Sequence, residues 1–171
     1  MGDTRTAAAL AAEHHDSLFR WARALANWDR EEAMEIVQQT YMEVVEGRAD
    51  LEAADDPKRF LFGVARRVAA SRRRRRSIWG RVLRMQIDSP KPAATFDDPE
   101  SSVDLGERSA RVKDALAKLP DRQAQVMSLV FMEGLTVEES ARVMNVSVGS
   151  ARTHYHRGKK KLKELLSGDI R

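Results

Sequence analysis

Apolar residues recur at steps of three and four along almost the whole chain, a spacing typical of helices with one buried face. Half-buried strands require apolar and polar residues to alternate, and no stretch alternates for more than a few positions. The helical pattern stops in the segment 86–106, which holds three of the five prolines and a net charge of −4. The sequence therefore predicts an all-α protein of two small helical domains, 1–85 and 107–171, joined by a flexible acidic linker.

Two capping signals mark helix starts in the first domain. Asp29 opens a capping-box pattern, so we expect a helix from about Arg30, with Gly47 as its left-handed C-cap. Asp56 followed by Pro57 predicts the start of the next helix. The residues expected on the buried face of that helix are Phe60, Leu61, Val64, Ala65 and Val68.

The second domain contains a short helix, a three-residue turn and a longer basic helix. Thr136 and Glu139 form a second capping box, Asn145 can end the short helix in a left-handed conformation, and Ser147 can cap the helix that follows. This order predicts a helix-turn-helix. The residues expected to be buried in the last helix are Val148, Ala151, Tyr155, Leu162 and Leu165; those in the first helix of the domain are Val112, Ala115, Leu116 and Leu119.

Basic residues are strongly segregated, although the net charge is only +4. Residues 66–85 hold nine arginines and no acidic residue, so nothing nearby in sequence neutralises them, and phosphate binding is a plausible use. The last helix places small hydrogen-bonding residues near its start, where base edges are read, and basic residues further along, where phosphates lie. For the last helix the alternative is a solvated basic face, and for the arginine run a frayed helix end that binds polyanions nonspecifically.

Other kinds of chemistry are not indicated. The chain has no cysteine, which excludes disulfides and thiolate metal sites and favours a reducing compartment. The pairs His14-His15 and His154/His156 lack the i, i+4 spacing of two ligands on one helix face. We expect no enzymatic activity, no metal, no cofactor and no small-molecule substrate. The sequence shows no signal peptide and no apolar run of membrane-spanning length, so a cytoplasmic protein is expected.

Five short motifs resemble the two conserved domains of bacterial extracytoplasmic-function (ECF) sigma factors. ALAKLPDRQ at 115–123, EGLTVEESA at 133–141 and VSVGSAR at 146–152 are similar to the promoter-reading C-terminal domain of that family. AMEIVQQTY at 33–41 and FLFGVARRV at 60–68 resemble its N-terminal domain. The resemblance implies a transcription initiation factor that binds core RNA polymerase and directs it to promoter DNA.

The resemblance also implies roles for particular residues. Glu35, Gln38 and Gln39 fall on the helix that docks against the polymerase β′ clamp helices, and the β flap is a further implied contact. The minus-10 element is melted and read by 47–56 and 58–76, with the implied DNA-binding residues Arg59, Arg66, Arg67, Ser71, Arg72, Arg73 and Arg74. The minus-35 element is read by Ser147, Ser150, Arg152, Thr153, His156, Arg157 and Lys160. An anti-sigma factor, which in this family is often membrane-linked, is a further implied partner.

The chain departs from the family pattern at five positions. Met34 stands where the family often has an acidic residue, Phe60 near a usual tryptophan, Arg67 near an asparagine and Ser71 near an aspartate. His154 replaces a usual arginine in the last helix. The first four departures bear on minus-10 specificity, and the fifth predicts a weaker or pH-sensitive phosphate contact.

Two alternative functions remain open at the level of sequence. The first is a polymerase-independent DNA-binding regulator, in which the N-terminal domain serves dimerisation or sensing. Tight binding of palindromic DNA by the protein alone would favour it, whereas stoichiometric binding to core polymerase favours a sigma factor. The second is a protein-interaction module whose apolar and acidic faces bind an inhibitor, a role compatible with a sigma factor.

Overall fold

The structure is a computed structural model that describes residues 6–83 and 103–168, and side chains within 6–78 and 109–168. All regular elements in these ranges are α-helices, as the sequence predicted. They are α1 (Ala7–Glu13), α2 (His15–Leu25), α3 (Arg30–Val45), α4 (Pro57–Leu83), α5 (Val103–Ala117), α6 (Asp121–Phe131), α7 (Val137–Met144) and α8 (Val148–Gly168). No helix in the described ranges is both long and apolar enough to cross a membrane.

The predicted capping residues set the bounds of α3 and α4. The Asp29 carboxylate accepts a hydrogen bond from the backbone N–H of Glu32 at 3.0 Å, and α3 begins at the next residue after Asp29. Gly47, just past the end of α3, has a φ of +69°, a left-handed conformation that glycine adopts without strain. Asp56 accepts from the N–H of Arg59 at 2.9 Å at the start of α4. The structure confirms these three predictions. Each could be made from the sequence because the contacts involved join residues only a few positions apart.

Helices α2, α3 and α4 pack around the core of the first domain. The predicted α4 residues from Leu61 to Val68 are buried, and Phe60 is half-buried. Phe62, which the pattern did not place inward, is also fully buried beside Trp21. The Trp21 indole N–H donates to the Phe62 carbonyl at 3.0 Å, so the largest buried side chain of α2 keeps a hydrogen-bond partner.

The helix-turn-helix prediction is confirmed in its geometry. The Thr136 hydroxyl accepts from the N–H of Glu139 at 3.1 Å, and the Glu139 carboxylate accepts from the N–H of Thr136 at 2.9 Å. Asn145 has a φ of +53° and turns the chain out of α7. The Ser147 hydroxyl then accepts from the N–H of Ser150 at 3.1 Å at the start of α8.

Five residues of this domain that were predicted to be buried are not fully buried. Val112 and Val148 are 41% and 37% exposed. Tyr155, Leu162 and Leu165 are half-buried. Burial begins at Ala115 among the described side chains of α5 and at Ala151 in α8. Each valine lies before the part of its helix that packs against a neighbour, which the period of the helix alone cannot show.

Helix α5 begins inside the segment that was expected to be linker. Its first residue is Val103, whereas the linker was predicted to run to Gly106. Residues 103–106 contain only two apolar residues, too few to show a helical period. The remainder of the predicted linker up to residue 102 lies outside the described residues.

The two halves of the chain pack against each other. Helix α2 lies against α6, and α4 lies against α7. Buried apolar residues from both halves, such as Leu18 and Met127, belong to one continuous cluster. The sequence predicted two domains but did not predict this contact between them.

Candidate nucleic-acid interface

The polar face of α8 is exposed along its whole predicted length. All seven residues proposed to read the minus-35 element are exposed: Ser147, Ser150, Arg152, Thr153, His156, Arg157 and Lys160. The Ser147 hydroxyl donates to the Ser150 hydroxyl at 2.9 Å, and the Thr153 hydroxyl donates to the Gly149 carbonyl at 3.0 Å. His154, half-buried, stands at the edge of this face. The short side chains therefore bond locally, and the longer basic ones extend beyond them.

Arg152 is linked to the preceding helix by an ion pair. Its guanidinium donates to the Glu138 carboxylate on α7 at 2.7 Å, with 67% and 46% of the two side chains exposed. The hydrogen bond from Arg152 holds the pKa of Glu138 below its ordinary value. Glu138 stays ionised above this lowered pKa and keeps its ion pair with Arg152. As the pH falls through the pKa of Glu138, its carboxylate is protonated and the pair is lost. Water and salt screen such an exposed pair, so it holds Arg152 only weakly.

The arginine run on α4 has acidic partners, contrary to the expectation that nothing neutralises it. Arg72 donates twice to the Glu32 carboxylate, at 2.9 and 3.1 Å, and Arg76 also pairs with Glu32. Arg73 pairs with Asp121 of α6 at 3.0 Å. These carboxylates are 40 or more positions away in sequence, and they reach α4 because α3 packs against it and the first residue of α6 comes close to it.

The other predicted minus-10 residues occupy different surroundings. Arg67, Ser71 and Arg74 are exposed, and Arg66 is half-buried. Arg59 pairs with Asp56 at 2.6 Å and with Glu139 of the helix-turn-helix at 2.9 Å. The seven residues thus do not form one open surface in this structure, because α6 and α7 approach two of them.

Two acidic side chains of the loop before α4 are engaged in local hydrogen bonds. The Asp50 carboxylate accepts from the N–H of Ala53 at 3.1 Å, and Asp56 caps α4. Partial burial raises the pKa of Asp56, but hydrogen bonds from the backbone and guanidinium of Arg59 outweigh it and leave that pKa below its ordinary value. Both carboxylates therefore serve the fold of the loop.

The residues predicted to bind polymerase lie on α3, with Glu35 and Gln38 exposed and Gln39 half-buried. Sequence reasoning missed the apolar residues Met34 and Met42 on the same helix, which are 53% and 45% exposed. It counted Val45 in the repeating apolar pattern of α3, but Val45 is 78% exposed. Together with Gln38 these three residues follow the spacing i, i+4, i+8 and i+11, which places all four on one face. That spacing was the available signal, because apolar residues grouped on a second, exposed face of a helix are typical of a protein-interaction surface.

A cavity joins the polymerase-binding and minus-10 sets. It has a volume of about 240 Å³ and lies between α3 and α4. Its lining includes Gln39, Glu43, Arg67, Ser71 and Arg72. The two predicted surfaces of the first domain are therefore continuous.

The contact between the halves depends on residues that the sequence did not indicate. The Glu133 side chain, just after α6, is 1% exposed and pairs with Arg20 at 2.8 Å and Lys58 at 3.0 Å. Lys58 also donates to the Glu133 backbone carbonyl at 3.3 Å. The partners are 75 or more positions apart in the chain, so no local pattern could have found them. Within the described part of the chain no cluster of three potential metal ligands occurs.

Comparison with known proteins matches both halves to one family. Residues 10–78 match the family model of Sigma-70 region 2, and residues 109–162 match that of Sigma-70 region 4. RNA polymerase sigma factor CarQ of Myxococcus xanthus is 33% identical over 137 residues, which cover 78% of this chain and 74% of CarQ. ECF RNA polymerase sigma factor BldN of Streptomyces coelicolor is 37% identical over 73 residues, 43% of this chain. The chain spans 28% to 60% of the length of BldN and two further ECF sigma factors.

A solved structure shows the same fold. The sigma factor RpoE of Bartonella quintana, in complex with the anti-sigma factor NepR, has a TM-score of 0.71 to this chain at 24% identity, covering 91% of this chain and 95% of RpoE. The Sigma-70 region 2 match covers most of the first half of the chain, and the region 4 match covers the half that contains the helix-turn-helix. The chain belongs to the ECF sigma factors, within the sigma-70 family.

Proposed function

We propose that this protein binds core RNA polymerase and directs it to promoters by reading minus-35 and minus-10 elements. The observation that carries the proposal is the exposed polar face of α8, which follows a helix held by a complete capping box. A helix so presented can enter the major groove with its N-terminal residues against base edges. The protein would act by binding alone, without catalysis, and in the cytoplasm with the polymerase.

The two DNA elements would be handled by different helices. On α8, Ser150 and Arg152 lie early enough to meet base edges, and Arg157 and Lys160 lie one to two turns further along for phosphates. On α4, the exposed Arg67, Ser71 and Arg74 would hold the opened strand; Arg59, Arg66, Arg72 and Arg73 complete the proposed set. Opening a duplex costs about 1.4 kcal/mol per base-pair step in stacking, so several steps require both domains and the polymerase together.

The protein partners follow from the same assignment. Glu35, Gln38 and Gln39 would face the β′ clamp helices, and the second domain would contact the β flap. The exposed apolar residues of α3 beside Gln38 support a protein partner at this face. An anti-sigma factor is a further proposed partner, supported by the complex of RpoE with NepR.

Reconstituted transcription tests the proposal. The protein is mixed with core RNA polymerase and candidate promoters, and promoter-dependent initiation is expected only when both are present. Absence of initiation on every candidate, together with tight binding of palindromic DNA by the protein alone, would replace the proposal with a polymerase-independent regulator.

A substitution on α8 tests the minus-35 assignment. Arg152→Ala removes a guanidinium from the exposed face, and we expect promoter binding by the holoenzyme to weaken by about 1 to 3 kcal/mol, with the minus-35 footprint reduced. Arg111→Ala, which removes an exposed arginine from α5, is the matched control and should leave the footprint unchanged. Equal footprints for the two variants would contradict the assignment.

A further inference from the structure

Four arginines converge on a cavity between the two halves of the chain. The cavity has a volume of about 350 Å³ and lies between α4 and the start of α6. Its basic lining residues are Arg66, Arg73 and Arg74 from α4 and Arg122 from α6. Ligand sites in proteins commonly begin at about 300 Å³, so the cavity has the size of a small-molecule site.

The charge in this cavity is poorly compensated. None of the residues described around it is acidic, and Asp121, which pairs with Arg73, offsets only one of the four charges. The pKa of Arg66 is lowered by burial and by the nearby charge of Arg122, which faces it from the other half of the chain. The contact between the two halves thus brings like charges together at the cavity, whereas it brings opposite charges together around Glu133.

Two polar groups at the cavity also lack partners. The Arg66 Nε is buried and has no hydrogen-bond partner among the described residues. The same holds for the Oε1 of Gln125, a residue that is 4% exposed and lines the cavity. An arginine presents five N–H donors and no acceptor, whereas the Gln125 Oε1 is itself an acceptor. Buried polar groups are ordinarily bonded, so the Arg66 Nε indicates a ligand that accepts hydrogen bonds, whereas the Gln125 Oε1 does not.

We propose that this cavity, here called the arginine cleft, binds a small oligophosphate anion that bridges α4 and α6. Phosphate oxygens accept several charge-assisted hydrogen bonds at once, which matches a converging set of guanidinium groups. Arg122 is the second residue of α6, so the positive end of that helix adds to the attraction. A bound anion would offset the repulsion between the halves and stabilise their packed arrangement. It would also compete with DNA, because three of the four arginines belong to the proposed minus-10 set.

Calorimetric titration of the full chain with inorganic tripolyphosphate at fixed ionic strength tests the proposal. We expect one saturable site, with binding weakened roughly tenfold or more by Arg122→Gln, which removes one charge-assisted partner. Arg122 is exposed and lies outside the proposed DNA-binding set, and its guanidinium also donates to the Met144 carbonyl at 3.4 Å. Circular dichroism and urea unfolding therefore first establish that Arg122→Gln keeps the fold. Arg111→Gln removes the same charge elsewhere and should bind as the unchanged protein does.

Two outcomes would overturn the proposal. Binding of several anions per chain with equal affinity in the Arg122→Gln and Arg111→Gln variants would indicate nonspecific attraction to the arginine run. Arg122-dependent binding of a single-stranded oligonucleotide but not of tripolyphosphate or a nucleoside triphosphate would make the cleft a nucleic-acid surface. The titration contains no polymerase, so its failure leaves the proposed transcription function untouched.

Discussion

Arg72 and Arg74 are two positions apart on α4, yet their surroundings differ. The Arg72 guanidinium is bound by Glu32 through two hydrogen bonds, and the Glu32 side chain is only 10% exposed. Arg74 is exposed and has no ion-pair partner among the described residues. A carboxylate that is mostly removed from water needs a cation beside it. We infer that Arg72 mainly stabilises the contact between α3 and α4, whereas Arg74 remains available to a phosphate.

The pair Arg72→Gln and Arg74→Gln separates these roles. Arg72→Gln should lower the free energy of unfolding by about 1 kcal/mol, a modest loss because Arg76 still pairs with Glu32. Arg74→Gln should leave stability unchanged. It should reduce the slope of the logarithm of the binding constant of holoenzyme for promoter DNA against the logarithm of salt concentration by about one, the value for one lost phosphate contact. Urea unfolding and binding measured over a series of salt concentrations provide the two readouts. Equal losses of stability in both variants would contradict the distinction.

At the scale of elements, the sequence predicted what depends on neighbours in the chain. The capping box at Thr136 and the turn at Asn145 were predicted because their hydrogen bonds and dihedral angles involve residues within a few positions. Gly158 was missed, although it is buried on the same face of α8 as Ala151, because glycine adds nothing to an apolar pattern. The pairing of Arg20 with Glu133 spans 113 positions and follows only from helix packing. Of the candidate site, α8 was therefore predictable and the contact between halves was not.

Gly158 explains how closely α8 approaches α6. A Cβ at this position would lie 3.0 Å from the Met127 Cγ and 3.3 Å from the Gln123 Cβ. Gly158→Ala gains about 1 kcal/mol of helix propensity but forces these side chains to shift, at a cost of about 1 to 3 kcal/mol. We expect a net loss of about 1 kcal/mol in urea unfolding followed by circular dichroism.

Gly149 offers a matched control on the same helix. A Cβ there meets nothing closer than the Ser147 hydroxyl at 4.0 Å. Gly149→Ala should therefore raise stability by up to about 1 kcal/mol. A gain of similar size at Gly158 would show that α6 yields easily and that the close approach has no energetic role.

At the scale of the whole molecule, the packed halves restrict how the two proposed DNA surfaces are used. The face of α8 is exposed, but Arg59 and Arg73 of the minus-10 set are paired with Glu139 and Asp121 of the second domain. These pairs must break before DNA can engage both arginines. Holding the halves together and the proposed reading of the minus-10 element therefore oppose each other, and the ion pairs between the halves contribute to the balance.

Glu133 is the residue whose change should shift that balance most. Its carboxylate is almost fully buried between Arg20 and Lys58, and charge-assisted hydrogen bonds of this kind contribute about 1.5 to 3 kcal/mol each. Glu133→Gln keeps the shape of the side chain but leaves both cations without a countercharge. We expect the ratio of separated to packed molecules to rise roughly thirtyfold, equivalent to about 2 kcal/mol. The chain has no cysteine, so dyes can be placed at Glu31→Cys and Lys159→Cys, both exposed, to follow the separation by energy transfer.

The control removes the same charge from the surface. Glu164 is exposed and lies 3.9 Å from Lys161 within α8, so Glu164→Gln should leave the energy transfer unchanged. Salt gives a second readout, because the screening length falls from about 10 Å at 0.1 M to about 3 Å at 1 M. The exposed pair of Arg73 with Asp121 should weaken over that range, whereas the buried pairs of Glu133 are screened much less. The difference in energy transfer between the unchanged protein and Glu133→Gln should therefore persist at high salt. Identical energy transfer in both variants at every salt concentration would mean that the apolar contacts of α2 with α6 suffice to hold the halves together, and that Glu133 does not control their separation.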